Sequence, residues 1–297
     1  METMGNQKRA IGFALVAVCL WSTVATAFKL TLRFLSPMEL VWWASIVSFV
    51  TLGAMVLVSG RRRAVATHWR RHWRTTLLLG MLNPFVYYVT LFQAYARLPA
   101  QEAQAINYTW ALLLAFFSVP MLGHRLTRRD MIAGMMGYVG VLIIATHGDI
   151  FGLHFSNISG VGLALLSTIL WAVYWIINAR ESEDVLAGLF ANFGVGIVWM
   201  GLYLAWRGVP ISVPSQAGML GAAYIGLFEM SITFLLWANA LQLTPHTASI
   251  SNLIYLSPLV SLVLIHFFLG EVIYPSTLVA LGLIMSGVLL QQQKNKK

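Results

Sequence analysis

The second half of this chain repeats the pattern of the first. Gly12-Phe13-Ala14-Leu15 followed by Leu20-Trp21 returns as Gly162-Leu163-Ala164-Leu165 followed by Leu170-Trp171, 150 positions later. Leu122-Gly123 and Gly140-Val141-Leu142 return as Leu269-Gly270 and Gly287-Val288-Leu289, 147 positions later. Leu and Gly are common in apolar sequence, so each match alone is weak. Four matches in the same order at a nearly constant offset indicate an internal duplication. The chain is then expected to fold as two copies of one unit, residues 1–148 and 149–297.

Composition decides the solvent of that fold. The chain has 297 residues, 59% hydrophobic and only 10% charged, and its mean hydropathy is +0.76. A soluble domain carries about a quarter charged residues, so an all-α integral membrane protein is expected. A helix needs about 20 mostly apolar residues to cross the hydrocarbon. On that ruler ten spans are predicted, at 10–32, 36–58, 75–96, 101–122, 131–147, 159–179, 185–206, 216–240, 246–268 and 273–290. Little sequence is left for a separate soluble domain. The basic start, apolar run and Ala25-Thr26-Ala27 imitate a cleaved signal peptide. Because this stretch matches the sixth span in the repeat, it is expected to be a retained first span.

The formal charge of +9 suggests nucleic acid until the cations are placed on this topology. Lys8, Arg9, the arginines of 61–74, Arg125, Arg128, Arg129, Arg180 and the lysines of the tail all fall on one side. Only Lys29, Arg33, Arg97 and Arg207 fall on the other. By the positive-inside rule both termini are cytoplasmic and the basic excess is a topology signal, with anionic lipid near Trp69 and Trp73 as a further partner. No nucleic-acid partner is expected. Cys19 is the only cysteine, so no internal disulfide can form.

Five spans per half carry a mechanistic consequence. An odd-numbered repeat enters the membrane in opposite senses, so the two copies are expected to be inverted. Inverted repeats give secondary transporters two related conformations around a central cavity near the bilayer midplane. Leu20-Trp21 and Leu170-Trp171, Leu35-Ser36-Pro37, Leu269-Gly270-Glu271 and the glycines at 134, 137 and 140 carry a resemblance over essentially the whole chain. They resemble the EamA-type members of the drug/metabolite transporter superfamily. That resemblance implies ten helices around a cavity lined by spans 1, 3, 4, 6, 8 and 9, and export of amino acids or other metabolites. Asn107-Tyr108-Thr109-Trp110 resembles the Tyr-x-Trp region of bacterial aromatic amino-acid exporters, and implies that Tyr88, Trp110 and Trp171 are cavity aromatics. Two positions depart from the pattern: Ala111 stands where a proline commonly follows the Trp, and Glu229 where a small residue is usual.

Glu229 is the sharpest single feature, because the other nine acidic residues lie in predicted tails and loops or at span ends. A charge at mid-bilayer costs roughly 3 kcal/mol on insertion scales, so such groups usually face a cavity and serve function. Glu229 is the candidate proton carrier or anchor for a cationic group. The alternative is a carboxyl hydrogen-bonded to a neighbouring helix. Lys29 lies roughly 15 Å away in depth, at about 1.5 Å rise per residue, and is expected to snorkel to the interface. Asn107 and Asn252 hold near-equivalent positions in spans four and nine and are the favoured amide ligands, although interhelical amides also serve as packing. Tyr88, Trp110, Trp171 and Tyr255 are the aromatics expected to line the cavity, where they could stack rings or hold an amine by cation–π attraction.

No His-Glu-x-x-His, phosphate-cradling Gly-rich loop or clustered Cys/His set occurs, so neither catalysis, a metal nor another cofactor is expected. Transport would run on gradients. The leading expectation is a secondary exporter of amino acids or similar amphipathic metabolites in a bacterial inner membrane. Its rivals are multidrug or cation efflux and metabolite uptake on the same fold, and, in other classes, a membrane scaffold or sensor or an intramembrane enzyme.

Overall fold

The computed structural model describes residues 2–123, 127–146, 148–149, 157–181, 184–244, 250 and 252–292. In chain order the helices are α1 (Glu2–Trp21), α2 (Val24–Thr31), α3 (Pro37–Val58), α4 (Arg62–Gly80), α5 (Tyr87–Arg97), α6 (Ala100–Asn107) and α7 (Trp110–Leu122). They continue as α8 (Arg128–Ala145), α9 (Ile158–Glu181), α10 (Val185–Arg207), α11 (Gln216–Tyr224), α12 (Phe234–Leu243), α13 (Ser257–Leu269) and α14 (Pro275–Gln292). Wide π-type turns, Met81–Val86 and Ile225–Thr233, join α4 to α5 and α11 to α12, and a 3₁₀ turn, Asn252–Leu256, precedes α13. Among the described residues there is no strand.

Local chemistry fixes the helix ends. Pro37 opens α3 behind a reciprocal cap, in which Ser36 N–H donates to Glu39 Oε2 at 2.9 Å and Ser36 Oγ accepts from Glu39 N–H at 3.4 Å. Asp184 Oδ1 accepts from Ala187 N–H at 3.0 Å and starts α10. Gly123 and Gly270, at φ +69 and +73, end α7 and α13, a left-handed conformation that glycine adopts without a Cβ penalty. These two glycines belong to the sequence repeat, and the backbone treats them alike.

Among the described residues, six continuous helical runs are long and apolar enough to cross a membrane: Asn6–Thr31, Pro37–Val58, Arg62–Arg97, Ile158–Asn178, Val185–Arg207 and Gln216–Leu243. Ser257–Leu269 and Pro275–Gly287 are shorter apolar helices. The remaining expected spans are broken or short: 101–122 divides into α6 and α7, and α8 has 18 residues. Large apolar side chains such as Val50, Leu202, Leu278 and Val279 stand exposed on the outside, a surface suited to hydrocarbon.

Two expectations are corrected here. The arginines from 62 to 74, expected in a loop, ride on α4, because a run without Pro or Gly and rich in Arg favours helix. Glu102 and Asp130, expected in loops, are buried in the first turns of α6 and α8, where carboxylates complement the exposed N–H groups of a helix start.

The helices pack across the sequence midpoint. α8 lies along α14, and α10 along both α3 and α4. The Ile225–Thr233 turn lies on α3, α12 on α1, α9 on α5 and α7, and α13 on α2. Small residues permit the closest of these approaches. A Cβ on Gly226 would sit 2.4 Å from the Ala44 carbonyl oxygen and 2.7 Å from Val47 Cβ, and backbone cannot move aside as a flexible side chain can. Overpacking of this kind costs about 1–3 kcal/mol. Gly226→Ala is therefore expected to lower the melting temperature of the purified protein, whereas Gly282→Ala, where a Cβ meets nothing within 4 Å, leaves it unchanged.

Candidate functional site

Four helix breaks meet at the centre of the molecule. Between α1 and α2, Ser22 Oγ donates to the Val18 carbonyl and Thr23 Oγ1 to that of Leu20, each at 2.7 Å. Between α6 and α7, Thr109 Oγ1 donates to the Ile106 carbonyl at 2.9 Å. Within Ile225–Thr233, Ser231 Oγ donates to the Gly226 carbonyl at 2.7 Å, and Thr233 Oγ1 bonds the Phe228 carbonyl. The fourth break is Met81–Val86, which contains Pro84. Proline and wide turns release backbone carbonyls that cannot go unpaired in hydrocarbon, and Ser and Thr hydroxyls satisfy them. Neighbouring elements lock the breaks together: Thr23 Oγ1 meets Tyr224 Oη at 2.7 Å, Ser22 Oγ meets Ser257 Oγ at 3.0 Å, and Ser231 Oγ meets Ser48 Oγ at 2.9 Å.

The Ile225–Thr233 turn carries Glu229, which is 3% exposed. Tyr88 Oη, two residues past the other wide turn, donates to Glu229 Oε1 at 2.8 Å. Glu229 Oε2 closes no hydrogen bond, and neither do the indole N–H groups of Trp21 and Trp171. All three residues line one narrow cavity of about 20 Å³. That is room for about one water molecule. Its walls come from both sides of two breaks, Trp21 and Val24, then Asn107 and Trp110, with Tyr87 and Leu91 from the start of α5, and Trp171, Glu229 and Ile254.

Aromatic rings close it. Trp21 lies 6.2 Å from both Trp110 and Trp171 and 5.0 Å from Trp237, measured between ring centroids. Tyr87 stacks on Trp171 at 4.3 Å, and Phe234 meets the same indole edge-on at 5.1 Å. Such pairs contribute about 0.5–1.5 kcal/mol each beyond their buried area, so the closed packing is a well-defined state. A ligand larger than water needs these rings to separate.

The sequence-predicted residues are therefore brought together in large part. Asn107, Trp110, Trp171 and Glu229 line the cavity, and Tyr88 joins it through its hydrogen bond to Glu229. Asn107 Nδ2 donates to Ser167 Oγ at 2.8 Å, which fixes the amide against α9. The side chains of Asn252 and Tyr255 lie outside the described residues. Lys29 does not snorkel outward. Its Nζ donates to the carbonyls of Tyr95 and Leu98, at 2.9 and 2.8 Å, because the end of α5 offers carbonyls without partners in their own helix.

Tyr87 is not a sequence candidate, and Tyr108 enters there only as part of the Tyr-x-Trp motif, without a role. Tyr108 Oη is a hub, meeting Ser257 Oγ at 2.8 Å and accepting from Gln104 Nε2 at 3.0 Å. The Gln-x-x-x-Tyr spacing places the pair on one helix face, and that was the available signal.

The EamA-like transporter family matches residues 8–146 and again 158–291. The chain belongs to this family. This EamA-like protein is a multi-pass membrane transporter rather than an enzyme. It is 27% identical over 232 residues to "Aromatic amino acid exporter YddG" of Ancylobacter novellus, covering 76% of this chain and 77% of that one. It is 24% identical over 287 residues to "Protein PecM" of Dickeya dadantii, covering 94% and 91%. A solved crystal structure superposes with a TM-score of 0.77 at 22% identity, covering 97% of this chain and 99% of that one, which supports the fold.

Within this EamA-like fold the Tyr108 hub ties the α6–α7 break to α13. Its loss leaves Ser257 and Gln104 without a shared partner, and interhelical bonds of this kind are worth about 0.6–2 kcal/mol. Tyr108→Phe is expected to lower the melting temperature while Tyr203→Phe, on the outer face of α10, does not; thermal unfolding of both variants checks this.

Proposed function

We propose that this transporter exports amino acids or similar small amphipathic metabolites across a bacterial inner membrane, by alternating access between two inverted five-helix halves. The observation that carries the substrate class is the cavity's unused polar set. One carboxylate oxygen, Glu229 Oε2, matches an ammonium group; two indole N–H donors, on Trp21 and Trp171, match a carboxylate; rings fill the rest. A zwitterion with an apolar side chain is complementary to that arrangement. The similarity to a protein named as an aromatic amino acid exporter favours the same class.

The two-halves reading rests on pairing as well as on sequence. If the first span of one half is exchanged for the first of the other, and so on through five, the contacts map onto one another. α10 against the Met81–Val86 turn becomes α3 against the Ile225–Thr233 turn, α12 against α1 becomes α5 against α9, and α8 against α14 maps onto itself. The wide turns occupy the third span of each half. Spans 1–5 and 6–10 then form residues 1–148 and 149–297, ten spans in all. The distribution of arginine and lysine puts both termini in the cytoplasm by the positive-inside rule. Tyr88, Asn107, Trp110, Trp171 and Glu229, with Asn252 and Tyr255, form the substrate site, and Glu229 exchanges a proton or holds the substrate amine. The closed aromatic packing is the occluded stage of the cycle.

A second reading has one feature in its favour: a carboxyl among aromatic rings also suits a lipophilic cation. Counterflow in proteoliposomes with L-phenylalanine and tetraphenylphosphonium as competing solutes separates the two. Glu229→Gln is expected to abolish the pH dependence of flux while the protein remains folded. Flux in that variant with the pH profile of the unsubstituted protein would remove the role given to this carboxyl.

A further inference from the structure

A second cavity of about 530 Å³ opens at the end of the bundle where α2 finishes and α3 begins, well within the range of small-molecule sites, about 300–1,000 Å³. Lys29, Arg33 and Glu271 are its charged residues, and Leu32, Leu35 and Leu269 form its apolar wall. Tyr95 lines both this cavity and the central one, so the two are neighbours in the bundle.

The charges are unequally committed. Glu271 Oε1 accepts from Ala100 N–H at 2.9 Å and Oε2 from Gln101 N–H at 3.3 Å, so both its oxygens are engaged by the start of α6. Lys29 Nζ spends two donors on the Tyr95 and Leu98 carbonyls, and an ammonium has three. The Arg33 guanidinium makes no hydrogen bond or ion pair with any described residue. An ammonium donor and a whole guanidinium fork remain for an anion beside an apolar wall. A planar carboxylate on an apolar body fits, because the guanidinium fork matches carboxylate geometry.

We propose that Lys29 and Arg33 form a second, carboxylate-binding subsite on the substrate's path, one step from the central cavity and gated from it by Tyr95. This rests on the central cavity being the substrate site, and it adds that the substrate carries a carboxylate. Lys29 has two duties there. It holds the α5–α6 turn closed through the Tyr95 and Leu98 carbonyls, and a bound carboxylate competes with those carbonyls for the same ammonium, which loosens the turn.

The test is equilibrium binding of 3-phenylpropionate, a carboxylate without an amine, to the purified protein in lipid nanodiscs by titration calorimetry. Binding is expected in the unsubstituted protein and should weaken with added salt. Arg33→Gln should weaken it roughly tenfold, the scale of one charge-assisted hydrogen bond, and Lys29→Gln at least as much. Arg207→Gln, an exposed cation away from the cavity, should bind normally. The Arg33 guanidinium holds no hydrogen bond or ion pair with a described residue, so Arg33→Gln keeps the test clean if Lys29→Gln perturbs folding. Undiminished binding in Arg33→Gln, or no binding of the probe to the unsubstituted protein, overturns the subsite. The readout is binding rather than flux, so failure here leaves the Glu229 reading standing, and an unaltered pH profile in Glu229→Gln leaves this result standing.

Discussion

The hydrogen bond from Tyr88 to Glu229 is the interaction around which the centre of this protein is organised. A carboxyl removed from water needs a partner supplied by the protein, and this one comes from a residue 141 positions away. Bringing the two side chains together requires both wide turns, Met81–Val86 and Ile225–Thr233, at one level of the bundle. It also requires Gly226 to sit against the Ala44 backbone, so that the turn bearing Glu229 can lie on α3. Small residues, wide turns and the buried acid are thus one structural decision.

The broken helices follow from the same constraint. A cavity lined by polar atoms inside a bilayer is assembled where helices open, and each opening releases backbone groups that must be paired again. Ser22, Thr23, Thr109, Ser231 and Thr233 each add a hydroxyl hydrogen bond to a carbonyl of the preceding turn at these breaks. Their hydroxyls also reach across to Tyr224, Ser257 and Ser48. Polar chemistry at the centre is therefore local in sequence at each break and long-range between breaks, while the lipid-facing surface stays apolar.

Much of this was legible in the sequence, for identifiable reasons. Apolar runs of about 20 residues announce membrane helices because hydrocarbon leaves the backbone few alternatives. An acid within such a run stands out for the same reason, so Glu229 could be found without coordinates. Trp110 and Trp171 could be named through a resemblance, since depth alone does not separate a cavity ring from a packing ring. Other features were not legible. The partner of Glu229 depends on which faces of two remote spans meet. Lys29 looked like an interfacial residue because its acceptors, the Tyr95 and Leu98 carbonyls, become available only where α5 ends. The arginines from 62 to 74 were placed in a loop because hydropathy measures solvent preference, and a helix can extend beyond the hydrocarbon. The bonding role of Tyr108 was not legible, because a hub is defined by its neighbours.

Alternating access makes one demand that a packed, static core does not: the central cavity must open to each side of the membrane in turn. Val24 lines that cavity, and Cys19 is the only native thiol. The decisive measurement is the labelling rate of Val24→Cys on a Cys19→Ser background by a membrane-impermeant thiol reagent, applied separately to each face of oriented proteoliposomes. Labelling from both faces, slowed by a transported amino acid, is the expected result. A thiol that never reacts, that reacts from one face only, or that reacts at a rate indifferent to substrate would contradict it.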